Sequence, residues 1–254
     1  MDQQQGFRSG RGTCDGIYIT KRIQQISYLI NTPVFVLFVD LSAAFDHVIR
    51  DWLFKSIFQR FEPNQDVTLF KILKAIYAHT TTALSETPDD LFEILTGVRQ
   101  GGPESPLLYN LYMDYVMRVY ENACNIQGIK FLKLKYRIRA TATPREERMR
   151  GYQGSHFADW SGYADDLELF FVSAEDLQKG LVLLHEIFVK FGLSINIKKT
   201  KTMIFNFELV KEKYDNMCHL HSILELDNIA IENEITFRYQ SDEIKHDEPS
   251  TGDV

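Results

Sequence analysis

The chain has 254 residues, 44% of them hydrophobic, and a formal charge of -7. That is enough apolar material for a sizeable core in one large domain or one and a half. No apolar run approaches the roughly 20 residues that span a bilayer, and the opening MDQQQGFRSGRG lacks the apolar stretch of a secretory signal. The expectation is an intracellular protein without membrane attachment, in the nucleus or the cytoplasm. Cys14, Cys124 and Cys218 are far apart and odd in number, so they suggest neither a zinc site nor a disulfide framework; a reducing compartment fits them.

The negative charge is unevenly placed. From residue 208 onward there are 12 acidic side chains against 4 Lys and Arg, whereas residues 1–207 hold 24 basic and 23 acidic groups. Between 130 and 150 there are 8 basic residues and 2 acidic ones. Such a local field suits phosphates; a solvated loop or hairpin would carry it equally well.

In chain order, Ile19, Ile23, Ile26 and Ile30 recur at spacings of 4, 3 and 4, which predicts a helix over 13–30 with that face buried. Residues 34–39, VFVLFV, read as a short buried strand ending at Asp40. Val48, Trp52, Leu53, Ile57 and Phe61 predict a helix over 47–61, and a second follows over 67–78. Residues 80–82 and Pro88 mark irregular chain. A short strand over 91–95 leads into the Gly- and Pro-rich loop 97–103, and Leu107, Leu108, Leu111, Tyr115, Val116 and Val119 predict a long helix after it. Residues 130–156 read as an elaborated connection.

The segment around Ala164, Asp165 and Asp166 predicts two strands that turn at the paired aspartates. Ser173 with Asp176 has the form of a capping box. Leu177, Leu181, Leu184, Ile187, Phe188 and Phe191 make the buried stripe of the helix that follows, and Gly192 is its stop. Strands are expected at 193–197 and 202–207. Mixed order with long helices between strands favours an α+β fold, a mainly antiparallel sheet with helices packed on one face.

Chemistry enters with the acids. Asp40 ends a wholly apolar strand, where an unpaired charge is costly to bury. Asp165 and Asp166 are adjacent carboxylates at a tight turn with apolar flanks, and they repel each other. A divalent cation relieves both problems, and oxygen ligands from a few carboxylates plus phosphates are what Mg²⁺ prefers. Two such ions can serve an in-line phosphoryl displacement. A solvated turn or a helix N-cap is the plainer reading of each acid alone; the order of the elements favours the site.

The residues now carry a resemblance. FVDLSAAFD (38–46) resembles the first catalytic motif of reverse transcriptases, and GVRQGGPESPLLYNLYMD (97–114) the loop and helix that hold template and incoming nucleotide. GYADDLELF (162–170) matches the Tyr-Ala-Asp-Asp signature, and GLSINIKKTKTM (192–203) resembles the motif after it. GFRSGRGTCDGI (6–17) is similar to the fingers motif of non-LTR, LINE-like retrotransposon enzymes. The order holds from Gly6 to about Phe207.

The resemblance implies an RNA-directed DNA polymerase that adds dNTPs to a DNA primer on an RNA template, with two Mg²⁺ ions, or Mn²⁺ in their place. Asp40, Asp165 and Asp166 would be metal ligands, with the backbone carbonyl of Leu41 adding another. Phe45 falls at the steric gate under the sugar, although periodicity alone reads it as core packing. Gln100 and Gly101 would lie against the nascent base pair. Arg8 and Arg11 would stand near triphosphate or template, or else form a solvated pair. Lys199 would sit near the pyrophosphate as a proton donor, or on a solvated face. An RNA-templated RNA polymerase shares the palm chemistry, but Phe45 and the Tyr-Ala-Asp-Asp form argue against it; a metal-dependent nuclease does not explain the motif order.

The expected division is a partial fingers region over 1–32, a polymerase palm over 33–207 and an acidic segment over 208–254. In that last segment Phe237, Arg238, Tyr239, Gln240 and Ser241 stand where the family writes a primer grip. The Leu-Gly pair that makes the family's hairpin is replaced, and no thumb is expected. A catalytically inactive nucleic-acid-binding remnant is the alternative to an active enzyme.

Overall fold

The computed structural model describes residues 3–62, 67–83, 91–99, 101–132, 159–211, 225–226, 229–233, 236–239 and 242–245. The basic stretch from 133 to 150 and the residue Gln100 lie outside the described residues. In chain order come α1 (Thr13–Leu29), β1 (Val34–Val39), α2 (Arg50–Phe58), α3 (Thr68–Ala78), the antiparallel pair β2 (Thr81–Ala83) and β3 (Leu91–Glu93), and α4 (Ser105–Gln127). The hairpin β4 (Trp160–Tyr163) and β5 (Asp166–Phe171), α5 (Ala174–Lys190) and β6 (Lys201–Phe205) follow. Beyond them are β7 (Glu225–Leu226), β8 (Ile229–Ala230), β9 (Glu232–Asn233), β10 (Thr236–Tyr239) and β11 (Asp242–Lys245).

The main sheet has the order β4-β5-β1-β6-β9. All its pairings are antiparallel except that of β6 with β9. Central β1 is buried along its whole length because the sheet is covered on both faces. Phe35, Leu37 and Val39 join the larger core with α2, α4 and α5, while Val34, Val36 and Phe38 join a second core with Ile23 of α1, Phe170, Met203, Phe205 and Ile244. Alternate side chains therefore enter different cores, and each buried aliphatic or aromatic one contributes roughly 1.5–3 kcal/mol.

This two-sided burial differs from the expected one-sided packing, and α1 is the reason. Its buried face is Gly16, Thr20, Ile23, Gln24 and Ser27, so of the expected isoleucine stripe Ile23 is buried, Ile19 packs partly buried against the second core, and Ile30 is half exposed. The opposing sheet surface carries the fully buried carboxylate of Glu168, and the Thr20 hydroxyl lies 2.7 and 2.5 Å from its two oxygens. A buried carboxyl group needs hydrogen-bond partners, which a polar face of the helix supplies and an apolar one does not. The amide of Asn206 also donates to the Ser27 carbonyl, at 3.1 Å.

On the other side, the α5 stripe packs as its periodicity predicts, and the Ser173 hydroxyl accepts from the Asp176 amide at 3.0 Å as the N-cap. Gly192 follows with φ +72°, where a Cβ would meet the His47 carbonyl at 2.8 Å. The expected strand at 193–197 shortens to a single antiparallel bridge between Leu41 and Ile195. The expected helix over 47–61 is trimmed to α2, because the chain turns through 43–47 first. The replaced Leu-Gly pair does not abolish pairing, for β10 and β11 form an antiparallel ladder from Thr236↔Lys245 to Tyr239↔Asp242.

Gly180 marks the closest approach of α5 to the sheet. A Cβ there would lie 2.5 Å from a Phe171 ring carbon and 3.0 Å from the Tyr120 hydroxyl, which donates to the Gly180 carbonyl. Alanine gains about 1 kcal/mol over glycine in a helix interior, but overpacking a core costs about 1–3 kcal/mol. Gly180→Ala is therefore expected to lower the thermal midpoint followed by circular dichroism, opposite in sign to helix propensity. A raised midpoint would show that α5 can lift off β5 without loss.

Candidate active site

The antiparallel register of β1 and β5 sets Val39 opposite Leu167 and Phe38 opposite Glu168. Asp40, one residue beyond the pairing, thus comes to the same end of the sheet as Asp166. β4 and β5 are joined through Ala164 and Asp165, with Tyr163 opposite Asp166. Ala164 takes φ +58°, the left-handed conformation that two-residue hairpins favour. That conformation costs an L-residue about 1–2 kcal/mol.

Asp40, Asp165 and Asp166 are all partly buried. Burial pushes the Asp166 carboxyl up to about 6, the charges of Asp165 and Asp40 add to the rise, and Lys199 opposes it. The Lys199 ammonium lies 3.7 Å from Asp40 Oδ1 and is otherwise well exposed. The structure therefore gathers three carboxylates and one ammonium in a single electrostatic neighbourhood.

Among the described residues, no group of three or more His, Cys, Asp or Glu closes into a metal-holding cluster. The donor chemistry nevertheless fits a hard cation: all three side chains are oxygen donors, and they are open enough for waters and phosphates to complete an octahedron. Leu41 adds to this. Its bridge to Ile195 is made by the flanking groups, Asn196 N–H donating to the Asp40 carbonyl and Ser42 N–H to the Ser194 carbonyl, both at 2.9 Å. The carbonyl of Leu41 is thereby turned away from Ile195.

Phe45 connects to the acids through Tyr109, which feels the charges of Asp165 and Asp166. Its ring stacks on Tyr109 of α4 at 4.3 Å between centroids and 15° between planes, and meets Phe7 edge-on at 6.4 Å. The Phe45 carbonyl accepts from Val98 N–H at 3.0 Å, and Gly97 N–H donates to the Val48 carbonyl at 2.8 Å. Gly97 has φ +80°, and a Cβ there would strike the Asp46 carbonyl at 2.8 Å. The loop before α4 is thus pressed against the segment that carries Phe45. Gly101 also has positive φ, and it faces open space.

Arg8 and Arg11 are not aimed solely outward. Arg8 donates to the Gln4 carbonyl and Arg11 to Gln5 Oε1, each at 3.0 Å, so both tie down the segment before α1.

Several site residues are invisible to sequence patterns. Arg50 donates to the carbonyls of Gly97, Tyr77 and Ile94 at 3.1, 3.0 and 2.6 Å, and so anchors the 97–99 loop. Tyr109 is fully buried, its hydroxyl has no hydrogen-bond partner among the described residues, and its pKa is raised first by burial and then by the charge of Asp165. Gln4 is buried against the turn that carries Asp165. Spacing gives no signal for these residues, because their partners are 27 to 160 residues away or are backbone atoms.

A hairpin that carries paired acids beside a central strand ending in a third acid, with a long helix behind the sheet, defines the class: a nucleic-acid polymerase palm. The family model described as "Reverse transcriptase (RNA-dependent DNA polymerase)" matches residues 1–245, and the chain belongs to that family. Among solved structures, apo telomerase from Candida tropicalis, truncated from its C-terminal domain, is similar with a TM-score of 0.51 at 14% identity, over 80% of this chain and 36% of that one. Telomerase from Candida albicans in complex with the TWJ fragment of telomeric RNA gives a TM-score of 0.49 at 12% identity, over 78% of this chain and 31% of that one. The chain thus spans about a third of those proteins, and the likeness is one of fold.

The raised Asp166 carboxyl has a stability consequence. Its folded pKa, about 6, exceeds the ordinary value of 3.8, so the folded state favours the protonated acid. Stability is retained below about pH 4 and lost as pH rises to about 6. Asp166→Asn escapes that loss. In EDTA its thermal midpoint should equal that of the parent chain near pH 4, exceed it increasingly up to pH 6, and keep the advantage above. A constant difference across that range would remove the carboxylate repulsion from the account.

Proposed function

We propose that this chain is the RNA-directed DNA polymerase domain of a non-LTR, LINE-like retrotransposon element, adding dNTPs to a primer 3′-hydroxyl on an RNA template. The observation that supports it most is the meeting of Asp40, Asp165 and Asp166 at one end of the sheet of a reverse-transcriptase-family chain. The subtype rests on the GFR motif at 6–8 and the motif order that follows it.

In this reading the three aspartates and the Leu41 carbonyl hold two divalent ions, Mg²⁺ or Mn²⁺. When bound, these supply a more acidic 3′-hydroxyl and neutralisation of the triphosphate charge. Phe45, braced from behind by Tyr109, puts a flat ring under the incoming sugar and leaves no room for a 2′-hydroxyl. The 97–101 loop, held by Arg50, lets backbone approach the nascent base pair at Gly101, with Gln100 beside it. Lys199 carries its charge to the phosphate end of the site and can give a proton to the leaving pyrophosphate. Arg8 and Arg11 place guanidinium charge where triphosphate or template would lie.

A primed RNA template offered with dNTPs and Mg²⁺ or Mn²⁺ tests the reading. Extension should be measurable, and Asp165→Ala with Asp166→Ala should reduce it about a thousandfold or more, since several kcal/mol of charge stabilisation is removed. Salt-sensitive duplex binding without extension would instead identify a nucleic-acid-binding remnant, and extension that survives the double substitution would reject the metal assignment. Phe45→Val should raise incorporation of ribonucleotides relative to deoxynucleotides; unchanged selectivity would dismiss the gate.

A further inference from the structure

The catalytic turn does not hold its own shape. Ala164 sits in the left-handed region with a side chain that disfavours it, and such a conformation persists only where the surroundings over-determine it. Chief among the surroundings described here is one side chain from the other end of the sequence. Gln4 is 1% exposed. Its Oε1 accepts from the Ala164 N–H at 3.0 Å, and its Nε2 donates to the Ala164 carbonyl at 3.2 Å. Both backbone polar groups of Ala164, one in each of its flanking peptide units, are therefore held by one side-chain amide, whose paired donor and acceptor suit that two-point contact.

The clamp is itself fixed. Gln4 Oε1 also accepts from Gly6 N–H at 3.0 Å, and Asn110 of α4 donates to the Gly6 carbonyl at 2.7 Å. Residues 3–5 run alongside β4, with Gln5 N–H donating to the Gly162 carbonyl at 2.7 Å and Gly162 N–H to the Gln3 carbonyl at 3.0 Å. Gly6 presses so closely on the turn that a Cβ would lie 2.6 Å from the Ala164 nitrogen. The arrangement locks the turn to α4 as well as to the sheet.

We infer that Gln4 is a positioning residue of the active site: its side-chain amide fixes the Ala164 peptide, and with it the separation of Asp165 and Asp166 from Asp40. This rests on the proposed metal-binding role of the three aspartates. Without the clamp, Ala164 can relax toward negative φ and Asp165 swings with it. The fold does not depend on that turn, because β4 and β5 are paired up to Tyr163↔Asp166.

Mn²⁺ binding to the full chain, followed by electron paramagnetic resonance, tests the inference without reliance on turnover. Gln4→Met removes both clamp bonds. Gln4→Glu keeps an acceptor for Ala164 N–H and loses the donor to its carbonyl. Gln5→Met is the control: Gln5 is equally buried on the same segment, but its side chain bonds to Arg11 and Gln3 rather than to the turn. Both Gln4 variants should weaken Mn²⁺ affinity about 10-fold or more, as loss of an outer-shell partner does, while Gln5→Met binds as the parent does. If Gln4→Met does not fold, Gln4→Glu decides. Parent-like affinity in a folded Gln4 variant, or an equal loss in Gln5→Met, overturns the positioning role. A parent chain that binds no Mn²⁺, and does not differ from Asp165→Ala, overturns the metal reading and this inference with it.

Discussion

The antiparallel pairing that puts Val39 opposite Leu167 is the constraint on which the site depends. A side-chain period of two means that a slip of one residue sends every side chain of a strand to the other face. Here such a slip would exchange the two cores of β1 and carry Asp166 away from Asp40. Burial of both faces makes the register costly to change, since Phe35, Leu37 and Val39 are shaped for one core and Val34, Val36 and Phe38 for the other. The placement of the acids at the sheet end thus inherits its precision from apolar packing along the strand.

What the packing secures, the site then loads with strain. Three carboxylates share a partly buried space with one exposed ammonium, and Asp166 is pushed toward protonation. Behind them Tyr109 buries a hydroxyl with no partner among the described residues, and Ala164 holds a conformation that suits glycine. Such concentrations of unfavourable features belong to functional sites, where stability is traded for chemistry. The supporting contacts are correspondingly strong: Arg50 on three carbonyls, Gln4 on both polar groups of one residue, and Thr20 against the buried Glu168.

Much of this was legible in the residues. VFVLFV ending in Asp40, the paired acids at a turn, and α5 with its Ser173 cap and Gly192 stop were all readable, because each is a local pattern with one physical reading. The isoleucine spacing of α1 marks the helix and its buried Ile23, but the partner surface also carries the buried carboxyl of Glu168 and takes Thr20, Gln24 and Ser27 beside it. Residues 193–197 look like a strand but contribute a single bridge at Ile195. Between β10 and β11, the loss of the family's turn residues did not prevent the ladder, since pairing of the strands can outweigh a less favourable turn.

By itself the sequence determined most of the elements, the family resemblance and the identity of the acids, because periodicity, caps and a short run of motifs are written within a few residues of one another. Only the tertiary structure decided which of those acids meet, which face of α1 is buried, and that Gln4 holds the turn of Asp165 across 160 positions. The reason is that a hydrogen bond or a charge interaction between distant segments depends on register and approach. Those are set when apolar surfaces pack, and they leave no repeat in the order of the residues.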